Sequence, residues 1–381
     1  MVAAANSSLN KHKVRYAVVG LGWIAQEDVL PAFAHAENSE LVAFVSGDPT
    51  KIEALSKQYG VQHNYSYEQY DDCLNSGAID AVYIALPNHL HCEYTVKAAR
   101  AGIHVLCEKP MAVTEAECEE MIRAAGENNV KLMIAYRLHF DKANLEAVKI
   151  VQSGQIGDIR MFNSMFSQQV VEGNVRLEKI EQGGGTIFDM GIYCINAVRY
   201  LFQDEPTEVV ALSANNGEKR FAEIDEMTSV ILRFPNERLA NFTASFGAAP
   251  VSTFQVIGTK GDLRMDSAYS YQGELKQQIT IEGETKEQSF QAGDQFAAEI
   301  VYFSDCVLTG KEPEPSGEEG LADVRIIQAI NQSAQTGKPV ELGEFKRQER
   351  PTVKQAIQRP AQEESPEMIH AADPSAESPQ T

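Results

Sequence analysis

Positive charge is scarce in this sequence: 33 Lys and Arg stand against 54 Asp and Glu, a net charge of −21. A surface of that sign repels nucleic-acid phosphates and anionic lipid, so neither class of partner is expected. Long hydrophobic runs are missing too, which excludes a helical membrane span. Met1 to Lys13 is polar and lacks the apolar centre of a signal peptide, making the cytoplasm the expected compartment. The six cysteines (Cys73, Cys92, Cys107, Cys118, Cys194 and Cys306) form no C-x-x-C pair and mostly sit in apolar-periodic stretches. They read as reduced core residues rather than a disulfide framework. His89-x-His91 has no accompanying cluster of His, Cys, Asp or Glu at ligand spacing, so no metal site is expected. Internal repeats are also lacking. What remains is ordinary globular composition, 43% hydrophobic over 381 residues, enough for two domains with cores of their own.

The most informative stretch is Tyr16 to Ala25. Tyr16-Ala17-Val18-Val19 reads as a buried parallel strand, followed by Gly20-Leu21-Gly22-Trp23-Ile24-Ala25 and an apolar-periodic helix to about Phe33. In a strand–turn–helix context this G-x-G-x-x-A pattern points to dinucleotide binding. Gly20 makes the tight turn, Gly22 admits a pyrophosphate, and Ala25 packs helix on strand. The diphosphate then rests on free N–H groups at the helix start. A second strand, Val42 to Val45, ends in Ser46-Gly47-Asp48-Pro49-Thr50-Lys51. Asp48 followed by proline reads as a helix cap. Ser46, Gly47 and Lys51 suit a ribose 2′-phosphate better than a 2′-hydroxyl, which favours NADP over NAD. Strands and helices alternate to about residue 135, implying parallel βαβ units whose ligands lie at the carboxyl ends of the strands. Glu108-Lys109-Pro110 stands at one such end, where a lysine is unlikely to serve packing.

Beyond Tyr136 the pattern changes. A loop, Gln182-Gly183-Gly184-Gly185, leads into a helix in which Asp189 and Tyr193 share one face. From Glu208 to about Phe290 short alternating segments separated by turns predict an antiparallel sheet, and Asp294 to Leu308 and Leu321 to Ala334 predict closing helices. The last stretch, rich in Gln, Glu, Pro and Ser, predicts disorder. The expected organisation is a disordered start (1–13), a Rossmann NADP-binding domain (14–135), a substrate-binding and oligomerisation domain (136–345) and a disordered tail (346–381).

Four segments carry a resemblance: GLGWIA at 20–25, LPNHLH at 86–91, CEKP at 107–110 and GGGTIFDMGIY at 183–193. With these the chain resembles the glucose–fructose oxidoreductase / inositol dehydrogenase family (Gfo/Idh/MocA) from about Val14 to Leu342. Ser46-Gly47 with Lys51, AYRLHF at 135–140 and SGEEGLADVRIIQAI at 316–330 are similar to its glucose–fructose oxidoreductase branch. The resemblance implies an α/β chain: a Rossmann domain, then an α/β domain whose large open, mainly antiparallel sheet forms a homodimer or homotetramer interface. It implies that Lys109 reaches the substrate oxygen and nicotinamide ribose, that Tyr193 is catalytic, and that Asp189 binds substrate. Ser46, Gly47 and Lys51 fall on 2′-phosphate positions. Gly20, Gly22, Trp23, Ile24, Tyr67, Leu86, Asn88, His91, Glu108 and Arg137 fall on cofactor or site-shaping positions.

The expected reaction is NADP-dependent oxidation of the C1 hydroxyl of a cyclic aldose, of glucose or xylose type, to a lactone. A phenol is a weak base near neutral pH, and protonated Lys109 beside Tyr193 favours the phenolate. Two other enzymatic readings stay open: a transhydrogenase that keeps its NADP, and a keto-sugar reductase. Only Met1 to Lys13 precede the first strand, too little for the long arm that covers the cofactor in glucose–fructose oxidoreductase, so exchangeable NADP fits equally well. A non-catalytic NADP-dependent sensor needs the glycine turn but neither Lys109 nor Tyr193, and both are present.

Overall fold

The computed structural model describes residues 13–347, 349–362 and 365–375. The expected disorder of residues 1–13 therefore falls, Lys13 aside, outside the described residues. Six short strands form the first sheet: β1 (Val14–Val19), β2 (Ser39–Val45), β3 (His63–Tyr65), β4 (Ala81–Ile84), β5 (His104–Cys107) and β6 (Leu132–Ile134). All pair in parallel, in the order β3-β2-β1-β4-β5-β6. Tyr16 to Val19 are fully buried because helices cover both faces of the central strand. The local signals behave as read. Asp48 caps the helix Pro49–Tyr59 by accepting from the N–H groups of Thr50 (2.9 Å) and Lys51 (3.2 Å). Thr114 and Glu117 form a reciprocal capping box at the helix Glu115–Glu127.

The second sheet contains β7 (Ile159–Gln169), β8 (Glu208–Ala214), β9 (Met227–Phe234), β10 (Arg238–Ser245), β11 (Gly247–Gly258), β12 (Gly261–Asp266), β13 (Glu274–Ile281), β14 (Glu284–Gln291) and β15 (Val340–Glu341). Its order is β14-β13-β12-β11-β7-β10-β9-β8-β15, antiparallel except where β10 runs parallel to β7. Helices Lys142–Gln152, Ile192–Phe202 and Gly317–Thr336 belong to the buried side. The opposite face exposes Met161, Met165, Leu212, Ile231 and Leu239.

Two of the expected boundaries differ from the chain's arrangement in space. The helix Gln295–Thr309 falls within the expected second domain, yet it packs on the first sheet. Phe296, Ile300 and Phe303 share a core with Tyr16 and Phe44, and Ser304 Oγ lies 2.7 Å from both Tyr16 Oη and Ser39 Oγ. Periodicity reveals that this helix has an apolar face but not which sheet receives it.

The tail is the other correction: its described residues are held against both domains rather than loose. Arg347 pairs with Glu319 at 2.8 Å and Arg350 with Glu205 at 2.7 Å, joining the buried Arg199–Glu205–Glu319–Asp323 cluster. Further on, Ile357 N donates to Phe140 O (3.1 Å), Arg359 O accepts from Asp294 N (3.2 Å), and Gln362 Nε2 donates to Asp28 O (3.2 Å). Its composition correctly signals that the tail builds no core of its own. It is held instead by ion pairs and hydrogen bonds to surfaces distant in sequence, which composition does not encode.

Candidate active site

The strand–turn–helix element positions one wall of the site. Gly20 has φ +93°, and a Cβ there would lie 2.5 Å from Ala85 O on the neighbouring strand's exit, so only glycine makes this turn. A Cβ at Gly22 would meet nothing within 4 Å. The backbone there is bare toward a cavity of about 1240 Å³. The first helical residues, Ala25–Val29, form a π turn that continues as Leu30–Ala32, rather than the regular helix the periodicity predicts.

Most of the expected residues converge on this cavity. Gly20, Gly22, Trp23 and Ile24 line one wall, and Ser46, Lys51 and Tyr67 line it as well. Leu86, Asn88, Glu108, Lys109 and Arg137 contribute from the exits of the parallel strands, and Asp189 and Tyr193 from the second domain. Gly47 is exposed and is not among the lining residues; a Cβ there would be 3.1 Å from the Tyr67 ring. Asn88 ties the domains by donating to Gly183 O at 2.7 Å.

His91 lies apart from the lining residues. It is fully buried, with Nδ1 2.8 Å from Pro110 O and Nε2 2.8 Å from Leu86 O. Backbone carbonyls stand at both ring nitrogens, so the buried His91 braces the loops that carry Leu86 and Lys109, the site-shaping part of the expectation.

The reactive corner is built by a second π turn, Ile187–Gly191, which leads into the helix Ile192–Phe202. This turn carries Asp189, and Tyr193 follows one turn later. Lys109 Nζ donates to Asp189 O at 3.0 Å, lies 3.6 Å from Asp189 Oδ1, and sits 4.6 Å from the Tyr193 ring centre. The Arg137 guanidinium is 5.0 Å from the same ring, held by Gln295 and by Tyr269 O at 2.6 Å. Phe166 packs edge-on against Tyr193 at 5.5 Å, fixing the ring. Two cations thus flank the Tyr193 ring.

Arg176 completes the corner, and the sequence does not reveal it. Its Nε lies 2.8 Å from Asp189 Oδ2. Burial opposes ionisation of Asp189, but Arg176 and then Lys109 outweigh it and hold the carboxyl below its usual range. Arg176 sits in a loop, within a single 3-10 turn, Val175–Leu177, too short for any periodicity to read. That loop folds back so tightly that a Cβ on Gly184 would lie 1.8 Å from Glu178 O, which accounts for the run of glycines. The resulting assembly is an acid–base phenol beside an ionised hydrogen-bond acceptor, at the end of a cavity whose wall is a bare glycine turn. Lys51, Lys109, Arg137 and Arg176 line this cavity alongside the carboxylates Glu27, Glu108, Glu178, Asp189 and Asp373.

Acidic groups lie buried close by. Glu299 is fully buried, and its carboxylate oxygens have no hydrogen-bond partner among the described residues. Asp28, 5% exposed, has its pKa pushed up to about 8, chiefly by burial, against the pull of Arg137. The folded state therefore binds this proton more tightly than the unfolded chain, whose aspartate titrates near 4. Stability is lost as pH rises from about 4 to 8. Asp28→Asn should remove that contribution, leaving the variant more stable than the parent at pH 8 by about 5 kcal/mol and little changed at pH 4. Urea melts at the two pH values test it; a parallel shift at both would contradict the assignment.

Comparison with known proteins agrees with this geometry. The family model for the oxidoreductase family with an NAD-binding Rossmann fold matches residues 14–136, and the GFO/IDH/MocA C-terminal domain model matches 144–264. D-xylose 1-dehydrogenase (NADP(+)) of Haloarcula marismortui is 34% identical over 336 residues, 86% of this chain and 93% of its own. The D-xylose 1-dehydrogenase (NADP(+)) 2 of Haloferax volcanii is 29% identical, over 86% of this chain and 99% of its own. Among solved structures, the aldose–aldose oxidoreductase from Caulobacter crescentus complexed with glycerol superposes with a TM-score of 0.83. It is 39% identical, covering 87% of this chain and all of that one.

Proposed function

This chain belongs to the GFO/IDH/MocA oxidoreductase family, and on that premise we propose that it is an NADP-dependent sugar oxidoreductase that oxidises the C1 hydroxyl of a cyclic aldose to a lactone. The observation that carries the reading is the convergence of Lys109, Asp189 and Tyr193 on the cavity that begins at the glycine turn. The residues present fit the cofactor. Gly22 leaves backbone bare for a diphosphate, and Ser46 and Lys51 supply a hydroxyl and a cation for a 2′-phosphate. The xylose dehydrogenase relatives, named for NADP(+), support the same choice.

Bound NADP supplies the acceptor for the hydride that leaves C1. Tyr193 takes the C1 hydroxyl proton, so the alcohol carbon loses a hydride and its oxygen a proton in forming the lactone carbonyl. Tyr193 takes that proton as its phenolate, whose charge Lys109 and Arg137 offset before the transfer. Asp189 accepts from sugar hydroxyls, and Arg176 keeps it ionised and oriented. The exposed apolar face that includes Met165, Leu212 and Ile231 is the surface through which we expect homodimers or homotetramers to form. No helix among the described residues is long and apolar enough to cross a membrane.

A transhydrogenase that keeps its nucleotide is the second reading, favoured by one observation: residues 370–375 line the same cavity as the glycine turn.

The deciding experiment strips any bound nucleotide and assays xylose, glucose and fructose with NAD and NADP separately. Aldose oxidation with NADP preferred is the expected outcome; preference for NAD contradicts the role of Ser46 and Lys51. Lys51→Ala should raise KM for NADP roughly tenfold, the worth of one charge-assisted contact, and leave KM for NAD unchanged. Equal effects on both cofactors would detach Lys51 from the 2′-phosphate.

A further inference from the structure

The segment 365–375 lies across the nucleotide cavity and is fastened to both domains. Ser365 Oγ donates to Glu27 Oε1 at 3.0 Å. Gln26, 1% exposed, accepts from Ile369 N at 2.8 Å and donates to Ile369 O at 2.9 Å. The same amide donates to Leu21 O at 2.9 Å, inside the glycine turn itself. His370 Nδ1 lies 2.9 Å from Asp48 Oδ2, while the other oxygen of Asp48 caps the helix that carries Lys51. At the far end Pro374 O accepts from Val171 N at 3.0 Å, and Ser375 pairs with Val170 just beyond β7, in the second domain. Between these anchors His370, Ala371, Ala372 and Asp373 line the cavity together with Gly22, Ser46 and Lys51.

We propose that residues 365–375 are part of the nucleotide site: a strap over the adenosine half of the bound dinucleotide that must detach before the nucleotide leaves. The proposal rests on the NADP reading above and goes beyond it by assigning a binding element and a step that controls release. The placement follows from the anchors. Asp48 and Ser46 stand at the 2′-phosphate end, so His370 brings the imidazole to that end, while Ala371 and Ala372 offer little beyond backbone to the cavity. The strap is held by hydrogen bonds, the exposed His370–Asp48 contact among them, and its apolar anchor is the partly buried Ile369. It therefore opens locally, without unfolding either domain. Because its ends sit on different domains, it also couples nucleotide release to the relative position of those domains. This accounts for a tail that is polar in composition yet ordered where it crosses the cleft.

The test compares three full assays: the parent, a chain ending at Gln362, and Ile369→Pro, which removes the N–H that Gln26 accepts. NADPH release is followed by stopped-flow fluorescence, with single-turnover sugar oxidation measured alongside. Both variants should release NADPH at least roughly tenfold faster, the change falling in the dissociation rate. Single-turnover oxidation at saturating nucleotide is read alongside only to show that the chemistry at Lys109 and Tyr193 still proceeds in each variant. Should the shortened chain fail to fold, Ile369→Pro alone decides. Release at the parental rate overturns the strap while leaving the NADP reading intact. A parent that binds neither NADP nor NAD overturns the functional reading, and the strap with it.

Discussion

Tyr193→Phe is expected to lower sugar oxidation by about 10²- to 10⁴-fold, the share that a positioned acid–base group ordinarily supplies. The substitution is clean in this setting. The ring's packing against Phe166 and Tyr269 does not depend on the hydroxyl, and both cations near the ring keep their other partners. Nucleotide binding should persist, and KM for the sugar should change little, since Asp189 and Arg176 still present the acceptor. The loss should therefore fall on kcat. Steady-state kinetics with the preferred aldose, together with NADP titration, checks all three. Turnover equal to the parent's would remove Tyr193 from the mechanism.

Lys109→Met carries the other large effect, about 10²- to 10³-fold in kcat, through the electrostatic stabilisation it removes. Methionine keeps the length and most of the packing of the lysine while removing its charge. What disappears is the ammonium 4.6 Å from the phenol ring and its contacts with Asp189. Asp189 stays paired through Arg176, so the substrate acceptor survives and the change falls mainly on proton transfer. Arg137 is then the cation that remains beside the phenol ring. Steady-state kinetics on both proteins tests this, and a parental kcat would show that Lys109 has no part in the chemistry.

The pair of variants separates two roles that the geometry places side by side. Loss in both, with NADP binding retained, assigns proton transfer to the phenol and charge control to the lysine. Loss of NADP binding in Lys109→Met would instead make the lysine a cofactor ligand first, in keeping with its position at the exit of β5.

The parts of this protein legible in its sequence are those set by neighbours a few residues away. Gly20 must be glycine because the chain reverses there, and the apolar run before it already says that a strand enters the turn. Asp48 before Pro49 and Thr114 before Glu117 declare helix starts because capping is a contact over two or three residues. Period-two burial in β9 announces a half-covered strand in the same way. Tertiary structure decided everything whose partner is remote. Arg176 reaches Asp189 only because a glycine-rich loop folds back, and nothing in its own neighbourhood marks it. His91 stands in a motif that suggests a ligand, yet two backbone carbonyls from separate loops take up its ring. The helix Gln295–Thr309 shows an apolar face but not that the first sheet receives it. The tail's polarity correctly implies that it has no core, while its order depends on Gln26, Asp48 and Val171, which meet it across more than two hundred residues of chain. Local rules govern backbone turns and caps because their energies are local; the ion pairs and docking contacts that complete the site join residues remote in sequence.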